Sequence, residues 1–205
     1  MMLAVLTLGL GLLISSVCAA DWYTVEWDAT QFTAMSGDLV VPKLPQAGGT
    51  PYVWPGLQSG NGVLQAVLDG RSGTWWIGDG FYGTPSLPWG NGFNVYPGDT
   101  VHFSFTSSGT TWTCTLSSNG KSASTTLNSN FVCITLQHTL TTSQLTNVPF
   151  NFGPITYNNV KITATTAASG WCGKTAHLGT YPYTVTSATA SGNTCSISKI
   201  VQNNA

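Results

Sequence analysis

A chain of 205 residues with a formal net charge of −1 and only 6 % charged residues has no electrostatic hold on nucleic acid or on an acidic membrane surface. Its 8 Trp, 7 Tyr and 8 Phe, mixed with Ser, Thr, Asn, Gln and Gly, exclude a disordered chain and suit stacking and neutral hydrogen bonding. Glu26 is the one glutamate, and Asp21, Asp28, Asp38, Asp69, Asp79 and Asp99 complete the carboxylates, so acid–base chemistry has few candidates.

Residues 1–20, MMLAVLTLGLGLLISSVCAA, form an apolar run ending in small residues. This reads as a secretory signal peptide cut near Asp21, because about 15 apolar residues are short for a membrane span. The expected product is secreted and extracellular, with no membrane segment after cleavage. Cys18 leaves with the signal, and Cys114, Cys133, Cys172 and Cys195 stay. An even number in an exported chain argues for two disulfides. Of the three connectivities, closeness in sequence favours Cys114 with Cys133 and Cys172 with Cys195.

Residues 21–48, with Pro42, Pro45 and Gly48, read as an N-terminal arm carrying an entry strand at 30–35, and a cut after Lys43 could release it. Residues 49–205 read as one β domain. Short β-branched or aromatic runs recur between Gly, Pro, Asn and Ser clusters, and no long segment has helical spacing. They predict strands at 49–57, 62–69, 75–81, 100–107, 110–117, 122–127, 131–140, 155–163 and 181–188. Pro97-Gly98-Asp99 and Ser118-Asn119-Gly120-Lys121 supply turns, the Asn-Gly pair being a hairpin signal. Strands at this spacing imply an all-β, two-sheet sandwich or jelly roll.

From residue 52 the order of segments becomes more specific. YVWPGLQSG is followed by GVLQAVLDG, TWWIGDGFYG, VYPGDTVHFSF, the hairpin TCTLSSNGKSASTTL and FVCITLQHT. This order resembles the secreted glutamic peptidases, the eqolisins. The resemblance implies a concanavalin A-like β-sandwich with a concave sheet lined by these strands. Active members carry a Trp-x-Gly strand with an aspartate shortly after, a Leu-Gln strand whose glutamine stabilises the oxyanion, and a later glutamate that activates water. Trp54, Gly56 and Gln65 match that pattern, whereas Gln58 stands where the aspartate would be and Gln137 where the glutamate would be. A carboxamide cannot take a proton from water, and no Asp or Glu follows Asp99.

Other sources of a base are few. Asp79 sits among Trp75, Trp76, Phe81 and Tyr82, a setting that would raise its pKa if it were buried, although an Asp beside Gly more commonly closes a turn. Asp69 and Asp99 read as turn residues too. Glu26 and Asp28 fall in the arm, outside the matched strands. No carboxylate pair has a glycosidase spacing, no two of His102, His138 and His177 have a metal-ligand spacing, and no Gly-x-Ser-x-Gly elbow occurs. No metal or cofactor is expected. These residues point to a non-catalytic secreted binding protein that holds a neutral glycan or an extended peptide along Trp54, Gln58, Gln65, Trp76 and Gln137. The alternative is an acid-acting endopeptidase using Gln65 and a substitute carboxylate, Asp79 first.

Overall fold

The structure, a computed structural model, describes residues 21–44, 50–60, 62–84, 89–128, 133–143 and 151–203, with the backbone alone for 21, 22, 50 and 133–143. The signal-peptide reading of 1–20 lies outside the described residues. Those described form 14 strands. They are β1 (Asp21–Val40), β2 (Thr50–Ser59), β3 (Gly62–Asp69), β4 (Trp75–Gly83), β5 (Gly92–Val95), β6 (Thr100–Ser108) and β7 (Thr111–Ser118), then β8 (Lys121–Asn128), β9 (Cys133–Ser143), β10 (Ile155–Ala164), β11 (Ala176–Leu178), β12 (Tyr183–Thr186), β13 (Thr189–Ser191) and β14 (Thr194–Gln202).

The strands make the expected all-β sandwich of two antiparallel layers. The first layer runs β5-β4-β3-β2-β9-β1-β11 and the second β8-β7-β6-β1-β10-β14, with β12 and β13 on β14. β1 belongs to both. Its first half, Asp21 to Asp28, pairs with β9, and from Ala34 onward it is flanked by β6 and β10. Register breaks between Asp28 and Phe32 and between Phe32 and Ala34 mark the crossing, as irregularities do where a strand changes sheet.

The segment read as an arm holds β1 among its described residues, 21–44. Val25 and Trp27 in one half and Met35 and Leu39 in the other are buried in the common core, while Glu26 and Asp28 face outward. A cut after Lys43 would remove a strand paired with β6, β9, β10 and β11. Pro42 stands just past the end of β1.

Alternation builds the core between the layers. Val101, Phe103 and Phe105 of β6 and Trp112, Cys114 and Leu116 of β7 are buried, opposite Leu64, Ala66 and Leu68 of β3 and Trp75, Ile77 and Phe81 of β4. Two core indoles have their N–H groups satisfied: Trp75 Nε1 donates to Pro42 O at 3.0 Å and Trp27 Nε1 to Cys172 O at 3.1 Å. Asn119 and Gly120, with φ of 49° and 77°, close the β7–β8 hairpin in the geometry the Asn-Gly pair predicts. Asp69 and Asp99 act as turn residues, accepting from the backbone N–H groups of Arg71 and Tyr96 at 3.0 and 2.9 Å. The Cys172–Cys195 disulfide is present and ties the segment after β10 to β14. Cys114 is buried on β7, and the side chain of its expected partner Cys133 lies outside the described residues.

Candidate functional site

The same alternation decides what the first layer shows on its outer face. Inward burial of Leu64, Ala66 and Leu68 turns Val63, Gln65 and Val67 outward on β3. On β2 the outward set is Tyr52, Trp54, Gly56 and Gln58; on β4 it is Trp76, Gly78, Gly80 and Tyr82; on β1 it is Thr24, Glu26 and Asp28. Register then aligns one row across five strands, in which Gly80, Gln65, Gly56, Gln137 and Glu26 are successive partners. A neighbouring row holds Tyr82, Val63, Gln58, Thr135 and Asp28. Trp54, Gln58, Gln65 and Trp76 thus share one face, and position 137 stands in register with them; the Gln137 side chain itself lies outside the described residues.

Gln65 is recessed in that face. It is 6 % exposed, and its carboxamide makes no hydrogen bond with any described residue. The row places glycines on either side of it, Gly80 on β4 and Gly56 on β2, and neighbouring side chains fill the space over them, Trp89 over the first and Val63 and Trp54 over the second. Trp54 is on the face but 4 % exposed, and its Cδ1 lies 3.2 Å from where a Cβ on Gly56 would stand. Its ring builds the floor and is not open to solvent.

The β4 side is an aromatic wall. A Cβ on Gly78 or Gly92 would collide with the Trp76 indole, and one on Gly80 would stand 2.7 Å from Trp89 Cδ2, so both rings lie over bare backbone. Trp89 is 43 % and Tyr82 66 % exposed. Sequence reasoning missed both. The pattern Trp-x-Gly-x-Gly-x-Tyr over 76–82 carries the signal for Tyr82, whereas Trp89 reaches the face from a loop and leaves no periodic trace.

Asp79 does not join Gln65. It pairs with Ala66, not with Gln65, and points between the layers, where it is 0 % exposed with Thr125 of β8 nearby. A Cβ on Gly90 would collide with both the Asp79 carboxyl and the Thr125 hydroxyl. Neither carboxyl oxygen has a well-formed hydrogen bond, so burial pushes the Asp79 pKa up, and the Thr125 hydroxyl beside it only partly offsets that.

The outward carboxylates are elsewhere. Asp69 is gripped by Arg71, with Nη2 to Oδ2 at 2.6 Å and Nε to Oδ1 at 3.0 Å, and Arg71 lies over the Tyr52 ring at 5.5 Å. Glu26 stands three strands from Gln65, about 14 Å at the usual strand spacing. The Leu178 N–H donates to Thr24 Oγ1 at 3.2 Å, and the Thr24 hydroxyl donates to Glu26 Oε1 at 2.5 Å. His102 bonds Asp38 on the second layer, and His177, on β11 opposite Val25, lies tilted against the Tyr183 ring with centroids 5.3 Å apart. His138 has its side chain outside the described residues. Among the described residues no group of three His, Cys, Asp or Glu is placed to hold a metal ion.

No protein-family profile and no curated protein matches the chain. Solved structures do. Scytalidoglutamic peptidase with a peptide-based transition state analog is similar with a TM-score of 0.57, and the same peptidase with a transition state analog inhibitor with 0.59. Each is 18 % identical over 87 % of this chain and 98 % of that chain. At that identity the likeness speaks for architecture, and it speaks for nearly the whole of it: the chain has the concanavalin A-like fold of the glutamic peptidases.

Proposed function

We propose that the protein is a secreted, non-catalytic binding protein that holds an extended peptide across the outer face of the first layer. The observation that carries this reading is Gln65: a recessed carboxamide that bonds no described residue offers one donor and one acceptor, the pair that a peptide unit in extended conformation needs. The Trp89 ring over Gly80 and the Val63 and Trp54 side chains over Gly56 wall the amide on both sides, and the aromatic residues of β4 offer side-chain contacts at one end. Binding without hydrolysis is favoured because Asp79 points into the core, Asp69 is neutralised by Arg71, and the row position next to Gly56 on β9 holds a glutamine. The fold likeness to a peptidase whose structure carries a peptide-based analog makes a peptide the natural first ligand to try.

A neutral glycan is the second reading, favoured by the Trp76 and Trp89 rings lying over glycine backbone, since an indole face stacks on the apolar face of a sugar. The test is digestion of an unstructured protein between acid and neutral pH together with titration of blocked neutral hexapeptides and neutral oligosaccharides, each beside a Gln65→Ala variant. We expect no cleavage, and peptide binding that the variant loses. Cleavage that vanishes in the variant would overturn the non-catalytic reading, and saturable binding of oligosaccharides alone would replace the peptide with a glycan.

A further inference from the structure

The recessed row is chemically lopsided. At its β4 end stand Trp76, Trp89 and Tyr82, and at its β1 end stands Glu26, with neutral residues at the three positions between. Resting on the peptide-binding reading, we infer that Glu26 selects peptides carrying a basic side chain at the β1 end, opposite an aromatic or apolar residue at the β4 end.

Three features carry this. First, Glu26 is an oriented carboxylate: the relay from Leu178 N–H through the Thr24 hydroxyl holds Oε1, and Oε2 bonds no described residue. An outward carboxylate that serves only solubility has no need of a buried threonine to fix it, and Thr24 is 3 % exposed. Second, Lys and Arg are absent from every outward position of β1, β2, β3 and β4, so no cation of the protein competes for Glu26 on these strands. Third, Gln65, which bonds no described residue, lies in the same row, so a ligand that contacts its amide and runs along the row past Gly56 and Gln137 meets Glu26. Four strand spacings separate β4 from β1, about 19 Å, which an extended peptide covers in about six residues.

The test uses hexapeptides blocked at both ends so that the termini carry no charge. One set is neutral with Trp at one end; a second has Lys at the other end, made in both chain directions; a third has Glu in place of Lys. Each is titrated by calorimetry near neutral pH and low salt into the purified protein and its Glu26→Gln variant. We expect the Lys peptide in one direction to bind about fivefold more tightly than the neutral one, and the Glu peptide more weakly. Glu26→Gln should erase the Lys preference while keeping the affinity for the neutral peptide, which also shows that the variant is folded. Equal affinity of wild type for Lys and neutral peptides, or a preference that survives Glu26→Gln, overturns the inference and leaves the binding face standing. Failure of every peptide to bind wild type overturns the peptide reading and this inference with it.

Discussion

Replacing Asp79 by Asn should change how stability depends on pH, not merely its size. The carboxyl is wholly buried between the layers without a well-formed hydrogen bond, and burial raises its pKa above the ordinary value of 3.8. An acid whose pKa is higher in the folded than in the unfolded state binds its proton more tightly when folded. Its stabilising contribution is therefore complete below the unfolded pKa and is lost as pH rises through the folded one. Between those two values one proton separates the states, so wild-type stability should fall by up to about 1.4 kcal/mol per pH unit on this account alone. The carboxamide of the Asp79→Asn variant is neutral at every pH and nearly isosteric, so the slope disappears. Urea unfolding of both chains at unit steps from pH 3 to 8 isolates the effect, since every other titrating group is common to them. Asp38 is the main such group and has the opposite sign: burial raises its pKa, but hydrogen bonds from Asn159 and His102 outweigh that and lower it. The difference curve should favour Asp79→Asn increasingly toward neutral pH. Parallel curves would falsify the claim that this carboxyl is held protonated by its surroundings.

Three further outcomes follow from the same geometry. Cys172→Ser or Cys195→Ser opens a bridge spanning 23 residues and should cost about 3 kcal/mol by the chain-entropy relation, read as a lower urea midpoint. Asn159 sits at φ 54° and donates to Asp38 Oδ2 at 2.8 Å, so Asn159→Val should cost about 2 kcal/mol in the same assay, with Asn159→Gly losing much less. Gly80→Ala places a methyl 2.7 Å from Trp89 Cδ2; the indole must move, and quenching of tryptophan emission by bound peptide should weaken together with affinity, while the unfolding midpoint shifts little.

Much of the sandwich is legible wherever alternation runs unbroken between turn residues. β3 starts and ends where its pattern predicts, and β6, β7 and β10 differ from expectation by a residue. β14 escapes the sequence reading because its buried residues, Cys195, Ile197, Ile200 and Gln202, change parity midway, so no single face can be read along it. β1 misleads for a different reason. Its halves belong to different layers, and the irregularity at 28–34 breaks the period just where a strand of that length needs it continuous. The broken period also hides Glu26, whose role depends on register with a strand more than 100 residues away. Period-two counting separates Gln65 from Leu64 and Trp76 from Trp75 within their strands, but placing Gln58, Gln65 and Trp76 together rests on the resemblance to the glutamic peptidases. Asp79 could not be placed so easily: Ile-Gly-Asp-Gly looks like a turn, yet it continues β4, and only the parity with Trp75 and Phe81 turns it inward.

A strand shared by both layers has a consequence for how the chain acquires its shape. β1 precedes all its partners, the earliest of which begins at Thr100 and the last at Ala176. No local hairpin can lodge it, so every pairing it makes waits on the closure of a long loop. The layers are consequently joined late, and folding of this topology should take roughly milliseconds to seconds once the C-terminal strands are available. During synthesis a waiting segment that holds Trp27, Phe32 and Met35 is uncovered, and chaperones or cold conditions during recombinant production should raise the soluble yield more than any change to the surface.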